Sequence, residues 1–259
     1  MNRKIAALGI MIAGVLLVRS VMGGGFSLMN NADGKKTYTC ANKVKSIHIQ
    51  EITGEIVVQK GNVGRVTVSY SERDGRHDYE ISESDGKFSI VRKKRIQLFD
   101  IDFLKRCMTV TVPDDLEGEL DISNTIGSIQ ISGLAAKQVA IDNVSGNITL
   151  EASSSESDLK VKNTTGTITL TDVAAEGDVD VNNTTGKILV ENLKSGGNTS
   201  LKTVTGSIKG TIAGKESDYR ISSKVVTGKN SLNNSGSGTR KLTVSTTTGS
   251  IDLSFTKQP

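Results

Sequence analysis

The chain has 259 residues, a formal net charge of +4 and only 3% aromatic residues, with no tryptophan. Most of the excess charge sits at the N-terminus: without Arg3, Lys4 and Arg19, 29 basic residues (32 − 3) face 28 acidic ones, so the basic balance does not argue for a nucleic-acid partner. Two histidines, two cysteines without CxxC spacing, and no aromatic RNA-reading platform leave nucleic-acid, metal and cofactor chemistry without support; no cofactor is expected.

Residues 1–25 read unlike the rest. Arg3 and Lys4 precede an uncharged run from Ile5 to Val18, and Arg19 to Met22 lead into three glycines. The run is shorter than the roughly 20 residues of a spanning helix. It extends to Met22 if Arg19 snorkels to the far interface. The segment is read as an uncleaved membrane anchor, with a cleaved secretory signal as the alternative. In both cases basic residues before the apolar run leave the body outside a bacterial cell membrane. Residues 26–40 are expected to be linker.

Residues 41–112 carry alternating apolar positions less regularly. Val44, Ile47 and Ile49 lead into Ile52-Thr53-Gly54-Glu55-Ile56, and Met108 to Val112 form a strand that Pro113 ends. These are expected to be wide opening coils of one β domain spanning 41–259. Cys40 and Cys107 are either a disulfide, as an exported chain allows, or two buried free thiols.

One stretch interrupts these coils. Arg92, Lys93, Lys94 and Arg95 precede an apolar cluster from Ile96 to Leu104, and Lys105 and Arg106 close it. Such a basic, apolar segment suits an anionic lipid or wall polymer. The plainer reading is a loop that packs its apolar residues on the body and leaves its charges in water.

From 113 to 259 one phrase recurs at Gly127, Gly146, Gly166, Gly186, Gly206, Gly228 and Gly249, with Gly54 as an earlier copy. The spacing is 19 to 22 residues, which means stacked supersecondary units. Apolar residues alternate on both sides of each glycine, the mark of half-buried strands. A helix is excluded by the Val, Ile and Thr content and by the glycine interruptions. The prediction is an all-β, single-domain parallel β-helix, a β-solenoid of about 20 residues per coil. Roughly ten coils at about 4.8 Å give a rod on the order of 50 Å. The glycines are expected at sharp corners. Asn124, Asn143, Asn163 and Asn183, three residues before them, are expected to bond to one another as an amide ladder. The column ends at Asn183, so later corners should differ. The stretch 215–238, with Asn230 at an apolar position, should bulge or carry a loop. The last coil should end at Phe255, with Lys257 and Pro259 blunting the open edge.

A leading membrane segment, a degenerate strand region ending in Val112-Pro113 and recurring Ser/Thr-Gly-x-Ile coils together resemble the bacterial putative-adhesin family of β-strand-repeat proteins, a domain of unknown function. They are similar also to the membrane-anchored protein of Gram-positive cell-envelope stress operons. The resemblance covers about residues 40–255. It implies a β-solenoid at the cell envelope and carries over no catalytic residue.

The expected function is structural or adhesive binding at the envelope, with wall polymer, glycan or envelope protein as partner. The alternative is a carbohydrate-active β-helix enzyme. Such a site needs clustered acids with a basic partner. Asp121, Asp142, Asp180 and Asp252 fall on outer positions without forming an unbroken column. His48 and His77 are read as surface residues without a partner. A groove with three or more acids and a basic partner would favour the enzyme; a flat Thr/Ser/Lys face would favour the binding rod.

Overall fold

The computed structural model describes residues 34–72, 75–93, 106–113 and 115–256. The anchor or signal segment, Lys94, Arg95, Lys105, Lys257 and Pro259 lie outside these residues. No helix among the described residues is long and apolar enough to cross a membrane.

Each coil is built as the alternation requires. A strand such as Leu159–Thr165 turns every second side chain inward, a glycine turns the chain, and a shorter strand such as Ile168–Thr171 follows. Long strands stack in parallel on long strands: Ala135–Ser145, Leu159–Thr165, Val179–Thr185 and Thr199–Thr205 are consecutive neighbours. Short strands stack likewise from Ile129–Ser132 through Ile148–Glu151 and Ile168–Thr171 to Ile188–Ser195. The isoleucines two places after the glycines, at 129, 148, 168, 188, 208 and 251, are all at most 1% exposed. Burying such a side chain contributes about 1.5–3 kcal/mol, and the register repeats the contact in each coil. Between the two long faces, pairs such as Ser154–Ser155 and Ala174–Ala175 form a narrow third side.

The corner is where glycine is required. Gly146 has φ +135, and a Cβ there would strike the carbonyl of Gly127 in the coil beside it. The asparagines do not bond to one another. Each Nδ2 donates to the corner glycine carbonyl of the neighbouring coil: Asn124 to Gly54 at 3.0 Å, Asn143 to Gly127 at 3.3 Å, Asn163 to Gly146 at 2.9 Å and Asn183 to Gly166 at 2.8 Å. After Asn183 the contact persists at two corners and is lost at Gly228, where Val225 holds the position. Thr203 Oγ1 donates to Gly186 at 3.2 Å and Thr246 Oγ1 to Gly206 at 2.8 Å. A hydroxyl does the same work as the amide, because what must be satisfied is a buried carbonyl.

Coil order in space departs from coil order in sequence at both ends. Strand Arg240–Thr248 pairs with Thr199–Thr205 on one side and Tyr219–Thr227 on the other, so the segment at 219 is outermost. The end of the stack is therefore not the coil ending at Phe255. The irregular stretch caps it. Ile221 N–H donates to Ser235 O at 2.8 Å, Ser223 N–H to Asn234 Oδ1 at 2.6 Å, and Asn230 Nδ2 to Ser223 Oγ at 2.8 Å. The glycine-serine segment runs along the outer strand and occupies backbone groups that would otherwise template another chain.

At the other end, Ser46–Thr53 and Glu55–Lys60 lie between the 116–132 coil and the strands Lys87–Arg92 and Cys107–Val112. Beyond them the strands are antiparallel, which the reading of wide coils missed. Thr67–Ser71 pairs with Cys107–Val112 and with Lys35–Thr39; Tyr79–Ser84 forms a hairpin with Lys87–Arg92. Lys35–Thr39, expected to be linker, is thus a strand of the cap. Cys40 and Cys107 are both free thiols. Cys40 is buried, whereas alternation along Cys107–Val112 sends Met108 inward and leaves Cys107 partly exposed.

Candidate binding surface

Of the six basic residues proposed as a surface contact, Arg92, Lys93 and Arg106 are described, and Arg92 and Arg106 are held in ion pairs. Arg106 is buried, and its guanidinium donates to Asp78 Oδ2 and to Ser71 O, each at 3.3 Å. Arg92 donates to Glu51 Oε1 at 3.1 Å and to Thr53 O at 3.2 Å. Glu51 is itself buried and accepts from Tyr79 O–H at 2.6 Å. Burial and the Glu51 charge push the Tyr79 phenol well above its ordinary range. Lys36 meets buried Glu72 at 2.6 Å. Lys93 is partly exposed and its N–H donates to Asp78 O. Charges in low dielectric persist only when paired, so Arg92 and Arg106 belong to the packing of the cap.

Glu51 holds the position that Asn124 holds in the next coil, its register partner. Its Oε1 accepts from the N–H groups of Ile52 and Thr53 at 2.8 and 3.3 Å, so a carboxylate organises this corner from its own backbone.

His48 has the partner that the sequence hid. Its Nδ1 lies 2.8 Å from Asp121 Oδ2, because Ser46–Thr53 lies in register against Leu116–Ile126. The hydrogen bond to Asp121 raises the imidazole above its ordinary 6.5, against a smaller opposing effect of burial. His77 is exposed. Asp121 and Asp142 stand in different columns, their partners being Ala140 and Ser123. Among the described residues no group of three or more His, Cys, Asp or Glu could hold a metal ion.

The outer faces are columns in register. Asp121, Ala140, Lys160, Asp180 and Ser200 form one; Ser123, Asp142, Lys162, Asn182 and Lys202 form the next. Both columns carry charges of both signs.

One place on the short-strand face is not flat. Asp172 and Asn192 turn the chain with φ +52 and +54, and Asn192 Nδ2 donates to Asp172 Oδ1 at 2.8 Å. In the next coil that turn is missing. Ile208–Ala213 runs straight on, and the pairing with Ile188–Ser195 slips between Val190 and Leu193. Gly210 also replaces the apolar residue found at this position in the neighbouring coils, its partners Val190 and Leu253. An open cleft of about 870 Å³ lies over this step, with Asp172, Glu191, Lys194 and Lys209 around it and Val173, Val190 and Ala213 in its lining. The sequence signal was Gly210 in an otherwise apolar column.

A family model, Toastrack DUF4097, matches residues 44–259. The chain belongs to that family. The Toastrack match spans the stacked coils and most of the antiparallel cap. None of the curated proteins matches the chain. Among solved structures, similarity is found to a putative cell adhesion protein of Clostridium sporogenes, 10% identical over 86% of this chain and 99% of that one, TM-score 0.42. A putative adhesin of Bacteroides fragilis is 14% identical over 89% of this chain and 100% of its own, also at 0.42. One of Parabacteroides merdae is 15% identical over 85% and 95%, again at 0.42.

Proposed function

We propose that this Toastrack protein is an exported, membrane-anchored β-solenoid that binds material of the bacterial cell envelope, with no reaction of its own. The observation that carries the reading is the set of outward columns. They present polar and charged side chains in register at a spacing of about 4.8 Å, on a frame whose inward positions are filled by Ile, Leu and Val. Many weak contacts repeated on a rigid frame add up without ordering cost for each. The enzyme reading asked for three acids around a groove; the cleft has two, Asp172 and Glu191, of which Asp172 already accepts from Asn192.

Export and anchoring rest on the charge and hydropathy of residues 1–22. Protease treatment of intact cells, followed by washing of the membranes, tests them. The expected result is loss of the body from intact cells and, in untreated cells, retention of the whole chain in washed membranes. A chain that survives intact-cell proteolysis and appears in the cytosol would sink the proposal.

A further inference from the structure

We infer that the cleft beside Asn192 is a binding site for a neutral, linear saccharide chain, an inference that rests on the envelope-binding reading above and names its ligand class.

Three observations converge on it. The cleft lies where the cross-section of the solenoid steps, since the turn at Asp172 and Asn192 has no counterpart in the 208–213 strand. Gly210 removes a side chain at that step, so the strand approaches Val190 more closely than any residue with a Cβ allows. The volume of about 870 Å³ is within the range of small-molecule sites.

The lining decides the ligand. Two carboxylates, Asp172 and Glu191, balance two ammonium groups, Lys194 and Lys209, so the charge sum is zero (−2 + 2). That sum gives a polyanion no net attraction. Carboxylates accept and ammonium groups donate, which suits the hydroxyls of a polyol. Ala174 and Leu189, both partly exposed in the lining, offer apolar area to the C–H faces of a sugar ring. Lys194, Lys209 and Glu191 have no ion-pair partner among the described residues, in contrast to Arg92 and Arg106. The cleft crosses the consecutive coils at 169–174, 189–194 and 209–213. Their spacing of about 4.8 Å is close to the advance per residue of an extended saccharide chain. A chain laid along the rod therefore meets a new set of donors and acceptors at each coil.

The test uses the full-length chain in a detergent without sugar headgroups. Chitotetraose serves as the saccharide probe and poly(glycerol phosphate) as the polyanion. Amide resonances are followed by NMR during titration. The expected result is saturable shifts from chitotetraose at Thr171, Asn192 and Thr211. Glu191→Ala and Lys209→Ala should each weaken binding about tenfold or more, while Lys87→Ala, exposed on the antiparallel cap, leaves it unchanged. Shifts confined to other coils, equal binding by the cleft variants, or shifts at the cleft from poly(glycerol phosphate) alone would overturn the assignment. Retention of wild type and Glu191→Ala alike on isolated wall material would sustain envelope binding while removing the cleft from it. Loss of retention by both proteins would remove the broader reading as well.

Discussion

Asn163 Nδ2 donates to the carbonyl of Gly146 across 2.9 Å, from one coil to the next. This contact gives the recurring asparagine its purpose. It is not an amide ladder, because the acceptor is backbone and the buried Oδ1 atoms of Asn124, Asn143, Asn163 and Asn183 find no hydrogen-bond partner. Asn163→Ala leaves the Gly146 carbonyl without its side-chain donor and is expected to cost about 1–3 kcal/mol. Asn163→Thr should cost less, since Thr203 and Thr246 hold the same place elsewhere. Urea denaturation of the three proteins measures the ranking; equal loss for Ala and Thr would contradict the shared role.

Arg106 separates the two accounts of the basic stretch. As a surface contact it would be replaceable without effect on folding. As the buried partner of Asp78 it is expected to cost about 3–5 kcal/mol on Arg106→Ala, because one side of a buried ion pair is removed. Thermal unfolding checks this, and hydrogen exchange should place the loosened amides in 67–92, while the coils from 135 to 205 keep their protection.

The His48–Asp121 pair makes stability depend on pH in a stated direction. The folded-state value is raised, so the contribution is fully present below the ordinary 6.5 and is lost as pH rises through the higher folded value. Both side chains are about two-fifths exposed, so the effect is modest. Denaturation midpoints from pH 5 to pH 9 should fall more for wild type than for Asp121→Asn, and the His48 ring resonance in that variant should titrate at lower pH.

Burial, with a smaller contribution from the Glu83 charge, pushes the Cys40 thiol up to about 12. Its thiolate is then scarce at neutral pH. Iodoacetamide at pH 8 is expected to label Cys107 first, and Cys40 only after denaturation. Equal labelling in the folded protein, or labelling of neither until reduction, would contradict two free thiols in unequal surroundings.

Much of the frame was legible because it is written once per coil. Strand alternation, the glycine corners and the Ile columns repeat at fixed offsets and follow from burial alone. What escaped notice depends on contacts between distant segments. His48 meets Asp121 because Lys87–Arg92 and Cys107–Val112 stack on the far side of residues 46–60 rather than between the two coils, and no local pattern records that. The outward position of Tyr219–Thr227 is equally hidden, since Asn230 marks an irregular coil without telling that it stands at the end of the stack. Arg92 and Arg106 looked like solvated charges because their partners, Glu51 and Asp78, lie 41 and 28 residues away. The cleft left one trace, Gly210, and needed the missing turn of the next coil to become a cavity.

Co-sedimentation of the purified full-length chain with washed wall material of a Gram-positive bacterium, with the released reducing ends counted, tests the central claim most directly. A binding rod predicts saturable retention and glycan recovered intact. Release of reducing ends in proportion to added protein, or no retention above that of an unrelated control protein, would contradict it.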